Sequence, residues 1–214
     1  LLLHNPPQKV CKFGGQMTSR IIVISRRYCS VGRRALSAAI PPAVPPNGNP
    51  PSPPLAIVAT TGAFTTLGLG AICALHHFVG SDATLVLGSF GATACLIFAA
   101  PSAPFSQPRN VIGGHLLAAG VGSSARYGAV HLAPEGFPVL CSLPFAAATA
   151  IMLMQLTRTM HPPAGGTSLI AATHATLGFE LLLPTALGSS MLVASGCALN
   201  NLVRSRTPYP TRWD

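Results

Sequence analysis

The chain has 214 residues, 49% of them hydrophobic and only 8% charged, with 13 Lys and Arg against 4 Asp and Glu for a formal charge of +9. A soluble domain carries about 25% charged residues, and mean hydropathy here is +0.50, which excludes a soluble enzyme core. Between Leu55 and Val203 the only charged residues are Asp82, Arg109, Arg126, Glu135, Arg158 and Glu180, and the basic cluster near the N-terminus stands apart from any folded reader, so no nucleic-acid partner is expected.

Residues 1–40 form a basic arm with Arg20, Arg26, Arg27, Arg33 and Arg34 among serines, and no acid occurs before Asp82. That composition matches an organellar transit peptide; an ordinary basic tail is the alternative. Residues 41–54 contain eight prolines and read as a stiff, extended linker. The folded region is therefore expected over 55–214, preceded by a disordered arm.

Six apolar segments follow, at 55–78, 84–100, 111–130, 137–157, 164–179 and 184–203. About 20 helical residues cross the hydrocarbon layer, so 84–100 and 164–179 are short for full spans. The expected fold is all-α, a polytopic transmembrane bundle of about six segments with one or two short or broken at Pro/Gly loops. Dense glycine and alanine favour close helix approach, the main source of helix association in lipid. With six crossings, Arg109, Arg158, Arg204, Arg206 and Arg212 share a side with the basic N-terminus, and Asp82, Glu135 and Glu180 face the other side. This obeys the positive-inside bias except at Arg126, near the opposite end of its helix, which can snorkel to the interface.

Two loops on the basic side resemble each other. Residues 99–120 carry Pro108, Arg109, Asn110, Gly113, Gly114 and His115. Residues 154–173 carry Arg158, His161, Pro162, Pro163, Gly165, Gly166 and Thr167. They read either as a parallel repeat or as unrelated hairpins. Prolines are expected to interrupt the helices here, with restarts whose free N–H groups and positive dipole ends face the loops. Glycines would let a ligand approach the backbone. With the two guanidinium groups this predicts a small-anion site; the alternative is that both arginines only anchor the loops to lipid phosphates.

Other polar residues carry weaker signals. His76, His77 and Asp82 read as interfacial rather than as a metal site, because adjacent residues diverge around a helix. His115 and His174 are intramembrane candidates, Asn200 and Asn201 precede the final arginines, and Tyr209 and Trp213 read as interfacial aromatics. The six cysteines lack metal spacing. No catalytic residue, metal or cofactor is expected.

The motif His161-Pro162-Pro163 within 155–170, the run GSFGATACLIFAAPSAPFSQPRNVIGGHL at 88–116 and YPTRW at 209–213 together resemble the HPP family of integral membrane proteins over residues 55–214. The resemblance implies a helical membrane protein that transports a solute. The family is usually described with four spans, where the charge pattern here gives six. Plant members transport nitrite at the chloroplast envelope, and the basic arm makes this chain similar to that branch. The implied substrate is nitrite; the residues that the two loops offer to hold it are Arg109, Asn110, Gly113, Gly114, His115, Arg158, His161, Pro162, Pro163, Gly165, Gly166 and Thr167. The implied setting is the plastid inner envelope, with the lipid bilayer as surroundings and self-association left open. A non-transporting module that binds lipid or protein through the basic loops is the competing reading; a membrane enzyme is disfavoured for lack of a catalytic constellation.

Overall fold

The computed structural model describes residues 52–79, 87–132, 134, 138–174 and 179–213. The expectations for the arm at 1–40, for most of the linker, and for Asp82 and Glu135 lie outside these residues. Six α-helices and no strand occur among the described residues: α1 Leu55–Val79, α2 Gly88–Ala99, α3 Pro108–His131, α4 Leu143–Leu156, α5 Pro162–Thr173 and α6 Leu182–Leu202. Short 3-10 turns at Val139–Ser142 and Phe179–Leu181 lead into α4 and α6. The fold is an all-α membrane bundle.

Three stretches, Leu55–Phe78, Val139–Leu156 and Phe179–Leu202, are long and apolar enough to cross a bilayer. α3 has 24 residues but is less apolar, because it packs against α4, α5 and α6. α2 and α5 have 12 residues each, about 18 Å of helix, so neither reaches across the hydrocarbon by itself. Segment 164–179 is thus shorter than expected, ending at Thr173.

Small residues set the central packing. On α3, Gly114, Ala118 and Gly122 recur every fourth residue and lie along one stripe. A Cβ on Gly122 would collide with the Ser168 carbonyl and stand 2.7 Å from the Ala171 Cβ; one on Gly114 would stand 2.8 Å from the His161 Cβ. Only glycine lets α3 and the α5 region approach this closely, the small-residue mode of helix association in lipid. Gly68 meets the Phe98 ring and Gly196 meets Ile97 and Tyr209 in the same way.

The loops and the chain's end gather at one end of the bundle. Arg206 donates through Nε to Asn200 Oδ1 at 3.1 Å and through its terminal nitrogens to Thr60 and Thr61 hydroxyls at 2.9 and 3.2 Å and to the Phe98 carbonyl. Its guanidinium also lies 5.1 Å from the centre of the Phe64 ring. The start of α1, the end of α2 and the end of α6 are tied by this one side chain. Arg109, Arg158, Arg204 and Arg212 belong to the same end, the distribution that the charge pattern predicts, while Arg126 bonds the Thr173 carbonyl at the far end of α5.

Candidate functional site

Two proline-bearing helix starts build the site, and they differ from expectation in one respect. Pro108 and the pair Pro162-Pro163 occupy the first turns of α3 and α5, where proline's fixed φ suits a helix and its missing N–H costs nothing. The helices break and restart as expected, but the prolines lie inside the new first turn rather than before it. The Ala164 amide donates to the His161 carbonyl at 2.9 Å, and Pro162 and Pro163 have none to offer, so the start of α5 presents fewer free N–H groups than predicted.

The two loops do meet. Arg109, exposed, donates to the Thr157 carbonyl at 3.1 Å, and Asn110 donates to the Met160 carbonyl at 2.8 Å. A Cβ on Gly113 would stand 3.0 Å from Thr159 Cγ2, and one on Gly114 would lie 2.9 Å from the Thr159 carbonyl. These glycines therefore seat the second loop against α3 and leave no room for a ligand at that backbone face. Gly165 has open space where a Cβ would stand, and Gly166 faces Ser89.

Arg158 holds a left-handed backbone, φ 57°, which glycine normally takes. It closes α4 as its first residue beyond the cap: the Arg158 amide donates to the Gln155 carbonyl at 3.2 Å and the Thr159 amide to the Met154 carbonyl at 2.9 Å, the Schellman pattern. A non-glycine residue there costs about 1 kcal/mol or more. Arg158 is exposed, and its side chain is presented at the loop end despite that cost.

Beneath the loops lies a closed polar cluster. Thr93, His115, His161 and Thr167 are 0% exposed and Ser89 is 8% exposed. Ser89 Oγ and Thr167 Oγ1 are 2.8 Å apart, Thr167 Oγ1 and His115 Nδ1 2.8 Å, His115 Nε2 and Thr93 Oγ1 2.8 Å, and Thr93 Oγ1 and His161 Nε2 3.0 Å. His161 Nδ1 donates to the Phe105 carbonyl at 2.8 Å. The two imidazoles lie 4.9 Å apart between ring centres, and Phe90 packs edge-on to His115. Buried polar groups in a membrane must be satisfied internally, and both rings have a partner at each nitrogen. Among the described residues no three His, Cys, Asp or Glu side chains converge.

His115, His161 and Thr167 were legible as candidates; Ser89 and Thr93 were missed. Their signal is their spacing, four apart on α2, which puts two hydroxyls on one face of an otherwise apolar helix. His174 does not join the cluster. It ends α5, half-buried, its amide bonded to the Ile170 carbonyl at 3.0 Å.

The C-terminal strap braces the loop that supplies the Phe105 carbonyl. Tyr209, expected at the interface, is fully buried; its hydroxyl donates to the Ser106 carbonyl at 2.8 Å. Burial, reinforced by the neighbouring Cys197, pushes that hydroxyl's pKa above the ordinary tyrosine value, so it remains a donor. Burial also lowers the Arg206 pKa, yet guanidinium stays charged. Gln107, buried, donates to the Pro101 and Ala103 carbonyls at 3.0 and 2.9 Å and accepts from the Thr211 amide at 3.0 Å. Trp213 is exposed, as an interfacial aromatic would be.

The profile described as "HPP, transmembrane region" matches residues 49–210. A transmembrane protein of Dictyostelium discoideum is 36% identical over 174 residues, covering 77% of this chain and 58% of that protein. A second one from the same organism is 37% identical over 153 residues, covering 69% of this chain and 48% of its own length. The chain thus spans about half the length of the curated relatives it matches. No solved structure matches it. With the profile spanning most of the chain, the protein belongs to the HPP family of transmembrane proteins.

Proposed function

We propose that this protein transports a small inorganic anion, nitrite first among the candidates, across the inner envelope membrane of a plastid, and that it is not an enzyme. The observation that carries the reading is the buried cluster of Ser89, Thr93, His115, His161 and Thr167 directly beneath two arginine-bearing loops. Intramembrane ionisable groups are costly and mark solute or proton paths, and this cluster joins three separate helices, α2, α3 and α5.

Arg109 and Arg158 gather anions at the loop end by long-range attraction, and hydroxyls and imidazoles replace hydration within the bundle. Nitrite suits such donors: it is planar and singly charged, and nitrous acid is acidic enough that the anion dominates near neutral pH and crosses lipid poorly. The plastid setting rests on the basic, acid-free arm and on similarity to the plant branch of the family. Uptake into proteoliposomes from a panel of nitrite, nitrate, formate and bicarbonate tests the proposal. Saturable nitrite uptake above protein-free vesicles is expected; background rates for every anion would refute it and favour a module that binds lipid through its arginines.

A further inference from the structure

The direction of every hydrogen bond in the buried cluster follows from one fixed end. The Phe105 carbonyl can only accept, so His161 carries its proton on Nδ1, 2.8 Å away. In neutral His161, Nε2 is then an acceptor, and Thr93 Oγ1 at 3.0 Å donates to it. Thr93 has a single proton, so at 2.8 Å His115 must donate to it through Nε2. Neutral His115 then accepts at Nδ1 from Thr167, and Thr167 accepts from Ser89, both at 2.8 Å. Five hydrogen bonds therefore point the same way, from Ser89 to the Phe105 carbonyl.

We propose that this polarised chain is a proton relay, and that it makes anion transport an anion–proton symport. The proposal deepens the transport reading and rests on it for its physiological use. A proton arriving at Ser89 Oγ displaces the hydroxyl proton to Thr167, whose own proton passes to His115 Nδ1. The His115 Nε2 proton moves to Thr93, and the Thr93 proton moves to His161 Nε2. His161 becomes an imidazolium with two N–H groups. Release of its Nδ1 proton to water beside the exposed Phe105, as the bond to the Phe105 carbonyl opens, followed by return of the hydroxyls and rings, completes one turnover. One proton has entered, one has left, and no heavy-atom bond has changed; run in reverse, the same cycle carries a proton in from the loop end, the side on which Arg109 and Arg158 gather the anion.

Two features favour this use. Ser89 is the member of the chain with measurable exposure, 8%, while the other four have none. Thr93 also lies 3.2 Å from the Ser89 carbonyl, a second acceptor for its hydroxyl once His161 is charged. Among the described residues, the titratable groups facing the relay are the two imidazoles themselves, 4.9 Å apart. Phe90 and Thr93 of α2, Gly114 of α3 and the Phe105 carbonyl supply no charge, and Arg109 and Arg158 of the flanking loops are exposed. A charged His161 is therefore the buried positive charge that a bound anion would require.

The full chain is reconstituted in vesicles holding a trapped pH dye, and an inward nitrite gradient is imposed without ionophore. Nitrite influx with matching internal acidification, above protein-free vesicles, is expected. Thr93→Val, which keeps the shape and removes the hydroxyl, should lose the acidification, whereas Thr66→Val on exposed α1 should keep it. Nitrite influx without acidification in the natural protein overturns the relay and leaves transport standing; so does a Thr93→Val protein that acidifies normally. If neither nitrite nor protons move, the transport reading fails. The relay is then judged by ¹⁵N NMR of the histidine rings, assigned with His161→Gln and His115→Gln. Nδ1–H on His161 with Nε2–H on His115 supports it, and any other neutral pair overturns it.

Discussion

Gly114 of α3 faces His161 so closely that a Cβ on the glycine would stand 2.8 Å from the histidine's own Cβ. This contact seats the HPP motif against α3 and sets the distance at which His161 meets Thr93. Gly114→Ala should therefore force α3 and the second loop apart, at a cost of about 1–3 kcal/mol, read as a lower unfolding temperature in detergent. Gly62→Ala, where nothing lies within 4 Å, should stabilise α1 by up to about 1 kcal/mol. Equal responses from the two variants would show that the contact does not constrain the bundle.

Arg158 offers a separation of backbone from charge. Because its φ is 57°, Arg158→Gly should raise stability by about 1 kcal/mol while removing the guanidinium. If Arg158 collects the anion, nitrite uptake falls in this better-folded variant, and Arg158→Lys is intermediate because it keeps charge without the planar fork. Undiminished uptake by the glycine variant would remove Arg158 from the path.

Much of this arrangement was legible in the sequence, and the failures have physical causes. Apolar runs located all six helices, because lipid-facing segments announce themselves by composition, but they overran the start of α4 and the end of α5 by six residues each. The meeting of the two loops and the candidacy of His115, His161 and Thr167 followed from proline, glycine and charge placement. Ser89 and Thr93 escaped because their partners lie 78 and 68 residues away, and a hydroxyl on an apolar helix most often bonds its own backbone. Pro162 and Pro163 separate α4 from α5 as expected, but as the first residues of α5 they leave fewer free amides than a restart after them would. Tyr209 was read as interfacial because nothing local reveals that Gly196 leaves space for its ring.

The strap carries its own pH signature. Burial holds the Tyr209 hydroxyl protonated above its ordinary value of 10.0, so above that pH the folded protein binds a proton that the unfolded chain has released. The stabilisation is fully present below the ordinary value and is lost as pH rises towards the folded one. Tyr209→Phe should flatten this alkaline loss and, by unpairing the Ser106 carbonyl, lower stability near neutrality by about 1–2 kcal/mol. Unfolding temperatures between neutral and alkaline pH check both; an unchanged alkaline slope would contradict the burial argument.

The Arg206 contacts to Thr60 and Thr61 place the start of α1 and the end of α6 at one end of the bundle. Protease tags inserted before Leu55 and after Asp214 should therefore be cut together or protected together in sealed membranes. Opposite accessibility would be incompatible with that clamp and with an even number of crossings.

The central claim, that an anion crosses through the buried hydroxyl–imidazole cluster, is tested most directly by initial nitrite influx into vesicles carrying equal amounts of folded natural protein or Thr167→Val. The substitution keeps the side chain's shape and removes the 2.8 Å links to His115 and Ser89. Influx well above protein-free vesicles for the natural protein, falling to near that background for the variant, is the predicted result. Natural-protein rates at background, or a variant as fast as the natural protein, would contradict it.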